Sequence, residues 1–273
     1  MRLVISGSGC NTENSSHFLD SQTKHIPAML ESNIEDTPHF LRDLDDQNKI
    51  GPQPENSFPV TCDIVGLYPN IPQSEGKQAF EDKISDPTFR PDQRVPTLLL
   101  MTLLHYVLTF NIFIFNGIHY IQEWGTSIGT KIAPVYANIF VGWLEEKLLR
   151  EWGGFMPYMW RRYIDDIIFF WRYSEADLIA FLTYLNSSHN SIKFTAEWRT
   201  NGNISSASWD KETKTLIVKI KPIPEGVKNN SVDFLDTTVW VDNNGLIQTD
   251  LFVKECSKIT YLLPYSCHPG HIS

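Results

Sequence analysis

Three aspartates stand where an apolar β-strand pattern would otherwise run on. Asp165 and Asp166 interrupt the stretch from Trp160 to Trp171, and Asp63 lies inside the run at 58–68. Ionised carboxylates in apolar surroundings are costly unless they are paired or bound to a cation, and their mutual repulsion raises at least one pKa. Oxygen donors of this kind suit a hard divalent ion, and a pair of such ions supports in-line phosphoryl displacement. Each aspartate taken alone has a simpler reading. Arg161 and Arg162 offer ion pairs to Asp165 and Asp166, or the pair is a plain polar turn, and a lone strand aspartate is commonly satisfied by an arginine or backbone donors. Gly125-Thr126-Ser127-Ile128-Gly129-Thr130 precedes a helix, as phosphate-cradling turns do, yet its spacing matches neither the P-loop nor the dinucleotide fingerprint. Cys267-His268-Pro269-Gly270-His271, with Cys256 upstream, fits no closed zinc pattern.

The elements that must position these residues follow from periodicity. Adjacent strand residues face opposite ways, so Asp165 and Asp166 can approach one site only if the backbone turns beside them. The β-runs at 156–162 and 167–171 provide that turn, as a hairpin with the pair at its tip. The run at 58–68 predicts a buried strand that turns at Pro69-Asn70-Ile71-Pro72. Helices are expected over 73–84 and 96–110, with a loop at 86–94. Asn116-Gly117 between two apolar β-runs predicts a tight hairpin, and His119 there reads as a packed or exposed strand residue. A helix at 131–152 buries Ala133, Ala137, Val141, Leu144 and Leu148, leaving Glu146 and Arg150 to pair on the other side. Ser174 and Asp177 form a capping box for a helix running to about 185. Strands at 192–198, 215–221, 232–241 and 246–254 follow, the last two joined at Asn243-Asn244-Gly245. At the other end, a β-like run at Arg2-Leu3-Val4-Ile5 precedes helical patches around Phe18-Leu19 and Phe40-Leu41. A strand starting almost at Met1 predicts that the chain is a fragment. The pattern is that of an α+β fold, an antiparallel sheet with helices packed on one face.

Composition narrows the function. The 273 residues are 42% hydrophobic, as a folded globular chain requires, and the eight Trp, ten Tyr and sixteen Phe suit both a core and base-stacking surfaces. A net charge of −9 weighs against binding nucleic acid mainly by neutralising phosphates. Local basic patches are not excluded, and Lys211, Lys214, Lys219, Lys221 and Lys228 cluster late in the chain, although a charge run of this kind is usually a solvated face. The four cysteines lack disulfide-scaffold spacing, so reduced thiols in an intracellular protein are expected. No apolar stretch reaches membrane-spanning length, and no membrane partner is expected.

Taken in order, the motifs resemble the reverse transcriptases, and most of all the Penelope-like retroelement branch. Asp63-Ile64-Val65-Gly66-Leu67-Tyr68-Pro69-Asn70-Ile71-Pro72 is similar to the first catalytic motif of that branch, and Gly125 to Asn138 to its second. Tyr163-Ile164-Asp165-Asp166 is similar to the YxDD box. Phe234-Leu235-Asp236, Thr249-Asp250-Leu251 and Ser266-Cys267-His268-Pro269 look like downstream blocks. The resemblance implies a right-hand polymerase palm with partial fingers in one reverse transcriptase domain. Residues 1–57 would be a fingers remnant and connector, 58–255 the palm and 256–273 the start of the thumb.

It also implies an RNA-directed DNA polymerase, a nucleotidyltransferase using two Mg2+, or Mn2+, with an RNA template, a DNA primer and dNTP as partners. The nucleus is the location the family implies. Asp63 and Asp165 would bind both metals, with Asp166 beside them and the Ile64 carbonyl as a further ligand. Tyr68 would be the steric gate against a 2′-hydroxyl, with an ordinary core aromatic as the alternative. Gly129, Lys131, Ala133 and Pro134 would line the nucleotide and template side, Arg2 would contact the triphosphate, and Tyr163 would lie near the primer end. Lys193 is the candidate for motif D, an exposed strand lysine being the alternative.

Departures from the family also count. Ile128 stands where many reverse transcriptases carry Gln, though an apolar residue there fits the Penelope-like pattern; the first fingers motif and a full thumb are missing, and no GIY-YIG nuclease follows. A catalytically inactive remnant, acting at most as a nucleic-acid-binding or interaction module, is therefore the second reading, and a metal-dependent nuclease a weaker third.

Overall fold

Alternating apolar strands and amphipathic helices condense here on one sheet, and the computed structural model describes residues 9–252. In chain order these form α1 (Glu13–Thr23), a 3-10 turn (Pro27–Met29), α2 (Thr37–Ile50), β1 (Phe58–Ile64), α3 (Leu67–Asn70), α4 (Gln73–Ser85) and α5 (Thr97–Thr109). Next come β2 (Ile112–Phe115), β3 (Ile118–Ile121), α6 (Ala133–Glu151), β4 (Tyr158–Tyr163), β5 (Asp166–Trp171) and α7 (Glu175–Ser187). The chain continues through β6 (Phe194–Thr200), β7 (Asn203–Asp210), β8 (Thr215–Pro222), β9 (Ser231–Phe234), β10 (Thr237–Val241) and β11 (Ile247–Leu251).

The main sheet has six strands in the order β4-β5-β1-β6-β7-β8, and all its ladders are antiparallel. Val60, Cys62 and Ile64 of β1 turn towards the helices, where they join Phe169, Trp198, Phe80, Phe140 and Phe181 in the larger core. Strand pleating sends Thr61 and Asp63 to the opposite face. That face is not bare, as a single layer of helices would leave it. A second core of Phe40, Leu44, Ile168, Phe170, Phe234 and Val239 packs α2 and the three-stranded β9–β11 sheet against β4 and β5. Phe40 and Phe234 meet edge-on with centroids 4.9 Å apart.

Most local expectations hold. Asn116 and Gly117 take φ of 51° and 77°, the paired positive values of a tight hairpin turn. Ser174 accepts from the Asp177 amide at 3.2 Å and caps α7. Three differences have physical causes. The expected strand at 232–241 is two, because Leu235 at φ 52° reverses the chain between β9 and β10. β7 was not foreseen: Asn, Ser and Asp are poor strand formers, but pairing on both sides overrides propensity. Glu146 pairs with Lys83 of α4 at 2.6 Å, which tethers α6 to its neighbour in place of the expected Arg150 contact.

The closest approach of α4 to α6 is set by Gly76. A Cβ there would lie 1.9 Å from Tyr136 Oη, and that hydroxyl is buried with no hydrogen-bond partner among the described residues. Gly76→Ala is expected to cost about 1–3 kcal/mol through overpacking, seen as a lower urea midpoint at unchanged slope. Tyr136→Phe, which removes an unsatisfied group, is expected to be neutral or slightly stabilising in the same titration.

Candidate active site

The β4–β5 turn carries the paired aspartates on a strained backbone. Ile164, β-branched, is held at φ 58°, a region such residues rarely enter. What holds it is Arg162, whose side chain is 0% exposed. Its Nη1 donates to the Ile164 carbonyl at 3.1 Å and to Asn138 Oδ1 at 2.6 Å, while Nε donates to Glu145 Oε1 at 3.1 Å. Glu145 also accepts from Trp160 Nε1 at 2.7 Å and from Ser32 Oγ at 2.6 Å. The Arg162 backbone is pinned as well: its amide donates to the Ser32 carbonyl, and its carbonyl accepts from the Ile34 amide. The turn is thereby fastened to α6 and to the segment between the 3-10 turn and α2. Arg161 pairs with Asp43 at 2.6 Å, so the ion pairs seen for both arginines lead away from the aspartates beside them.

Asp63 and Asp166 are direct partners in the β1–β5 ladder, and opposed residues of an antiparallel pair share a face. Asp165 is tied into the same corner, its carbonyl accepting from the Ile64 amide at 3.1 Å. Asp63 and Asp166 open into a cleft of about 270 Å3, lined also by Thr195, Glu197, Asp233 and Leu235. Both are exposed and Asp165 is half-buried, which corrects the expectation of carboxylates enclosed in apolar strands. The end of the sheet solvates them. Among the described residues, no group of three or more His, Cys, Asp or Glu side chains is gathered as a metal would gather it. The donors nevertheless suit a hard divalent ion in kind, since Asp63 and Asp166 are carboxylates at opposed positions of one ladder and Asp165 is next to Asp166 in the chain.

Tyr68 stands beside this corner, at the start of α3. Burial first, and then the charge of Asp165, push its phenol above the ordinary value, so the hydroxyl is neutral at physiological pH. Its carbonyl accepts from the Thr126 amide at 2.9 Å. Gly125, at φ 67°, lies so close that a Cβ would fall 2.4 Å from the same oxygen. The glycine-rich turn is thus locked onto the Tyr68 backbone. Gly129, Lys131 and Pro134 are exposed beyond it, whereas Ala133 is wholly buried at the start of α6 and offers no side-chain surface to a ligand.

Tyr163 is half-buried opposite Asp166 and packs on the smaller core. Lys193 is not an exposed strand lysine. It is buried, its ammonium donates to the carbonyls of Asn186 and His189 at the end of α7, and burial lowers its pKa. Arg2, Cys256 and the Cys267–His271 segment lie outside the described residues. Two features escaped the sequence: Arg162 reads there as a counter-ion for the aspartates, and Gly125 as one glycine among several. Only three-dimensional contacts distinguish them.

With this geometry in place, known structures supply a class. The chain has a polymerase-like fold of the reverse-transcriptase type, as found in telomerases. A structure of telomerase from Candida albicans in complex with the TWJ fragment of telomeric RNA matches 89% of the chain with a TM-score of 0.54 and 10% identity. Apo telomerase from Candida tropicalis, truncated from its C-terminal domain, matches 89% with a TM-score of 0.53 and 12% identity. The chain spans 37% of the first and 46% of the second. No family model and no curated protein matches the sequence.

Arg162 generates a direct test. Arg162→Met alone leaves Glu145 buried and uncompensated and is expected to cost about 3–5 kcal/mol. Arg162→Met with Glu145→Leu should recover most of that loss in chemical denaturation. Equal instability of both variants would show that the buried pair is not the source.

Proposed function

We propose that this chain is the catalytic portion of an RNA-directed DNA polymerase of the Penelope-like kind, adding deoxynucleotides to a primer 3′-hydroxyl on an RNA template. The observation that carries this is the corner formed by Asp63 opposite Asp166, with Asp165 bonded through its backbone to Ile64. The telomerase-like fold and the ordered motifs support it. Asp63, Asp165 and Asp166 would hold the divalent ions, Mg2+ or Mn2+, together with the Ile64 carbonyl. Those ions supply activation of the attacking oxygen and stabilisation of the leaving group.

The chain's own residues do the positioning. Arg162 holds the turn that carries Asp165 and Asp166 beside β1. Tyr68, neutral and locked by the Gly125–Thr126 contact, presents a rigid ring where the sugar of an incoming nucleotide would lie. Lys131 and Pro134 are accessible on the rim, and Tyr163 lies on the primer side. Lys193, held at the end of α7, would need to leave two carbonyls before acting as a proton donor, so the general acid of motif D is better sought elsewhere.

Primer extension on an RNA template with Mg2+ or Mn2+ tests the reading. Asp165→Asn is expected to lower the extension rate by about a hundredfold or more. A parent chain that binds template–primer yet never extends it would leave a nucleic-acid-binding module as the function. Tyr68→Val is expected to relax discrimination against ribonucleotides by about tenfold or more in single-nucleotide incorporation. Unchanged sugar selectivity would remove Tyr68 from the gate.

A further inference from the structure

We infer that the edge strand β8, with Lys219 and Lys221 as its cations, receives the phosphate backbone of a nucleic-acid duplex whose end lies in the Asp63–Asp166 cleft. This rests on the polymerase reading and adds a surface to it. Ala207 of β7 and Val218 of β8 pack towards the helices. Their neighbours Ser206 and Lys219 therefore point the other way, onto the face that carries Asp63. One row of paired residues crosses that face: Thr61 opposes Glu197, Glu197 opposes Ser206, and Ser206 opposes Lys219. A second row joins the buried Arg199 and Ile204 to the exposed Lys221. At about 4.8 Å between strands, Lys219 lies about 14 Å across the sheet from β1. That places a cationic edge beside the carboxylate cleft.

Arg199 partly offsets the acids that a polyanion would pass. Glu197 and Asp233, which line the cleft, both pair with it, at 3.3 and 2.7 Å. Lys219 and Lys221 are exposed and have no ion-pair partner among the described residues. Ser206 and Ser208 place hydroxyl-bearing residues between them and the cleft. A phosphate backbone complements exposed cations on the face that carries Asp63. Lysines on an edge strand also guard against strand pairing. That role alone predicts no effect on the salt dependence of nucleic-acid binding.

The test is the salt dependence of binding to a labelled RNA–DNA duplex, followed by fluorescence anisotropy with the whole chain. The Lys219→Ala/Lys221→Ala variant is compared with Lys24→Ala/Arg150→Ala, which removes the same charge from the C-terminal ends of α1 and α6. If each lysine neutralises one phosphate, the slope of log K against log salt should become shallower by about 1.8 in the first variant. It should stay at the parental value in the second. Equal slopes in both variants overturn the inference. A change seen with single-stranded RNA and not with duplex overturns the duplex assignment. A parent that binds neither form overturns the polymerase reading and this surface together.

Discussion

A buried guanidinium is the constraint on which the site depends. Arg162 and Glu145 sit in the larger core's wall, and their pairing is favourable only because every partner is in place: Asn138, Trp160, Ser32 and the Ile164 carbonyl complete the hydrogen bonds. A buried ion pair is weak evidence for stability in itself, since well-packed apolar groups often do as well. Its use here is to fix a geometry. One side chain ties a helix to a turn whose backbone is strained at a β-branched residue, and the carboxylates follow directly after that residue. Strain of this sort persists only where the surroundings over-determine it.

The rest of the fold can be understood as support for that corner. α6 supplies Asn138 and Glu145 on the helix side of the sheet. The smaller core of Phe40, Ile168, Phe170 and Phe234 braces the opposite face and brings Leu235 to the rim of the cleft. A single layer of helices would leave β4 and β5 unsupported behind their aspartates. Gly125 does for the Tyr68 side what Arg162 does for the turn, by admitting a backbone approach that no side chain would permit.

Much of this was legible in the sequence because it is written in local chemistry. The hairpin at Asn116-Gly117, the Ser174 cap and the apolar face of α6 each follow from a few adjacent residues, and the structure shows all three. The reverse-transcriptase-type fold was legible from the order of the motifs. What was not legible depends on distant partners. β7 is polar and becomes a strand only between β6 and β8, and the reversal at Leu235 has no Gly or Asn to announce it. The aspartates were expected to be enclosed because their neighbours are apolar, yet they emerge at a solvated sheet end. Lys193 was read as a motif D candidate or an exposed strand lysine, and it is instead buried against the carbonyls of Asn186 and His189, seven and four positions before it.

We propose that the corner held by Arg162 makes Asp63 and Asp165 parts of one divalent-cation site. Titration of Mn2+ into the chain, with free ion followed by electron paramagnetic resonance, tests it without requiring turnover. A bound ion is expected in the parent, with a loss of affinity of about tenfold or more in both Asp63→Asn and Asp165→Asn. No bound ion in the parent, or an affinity untouched by both substitutions, would contradict it.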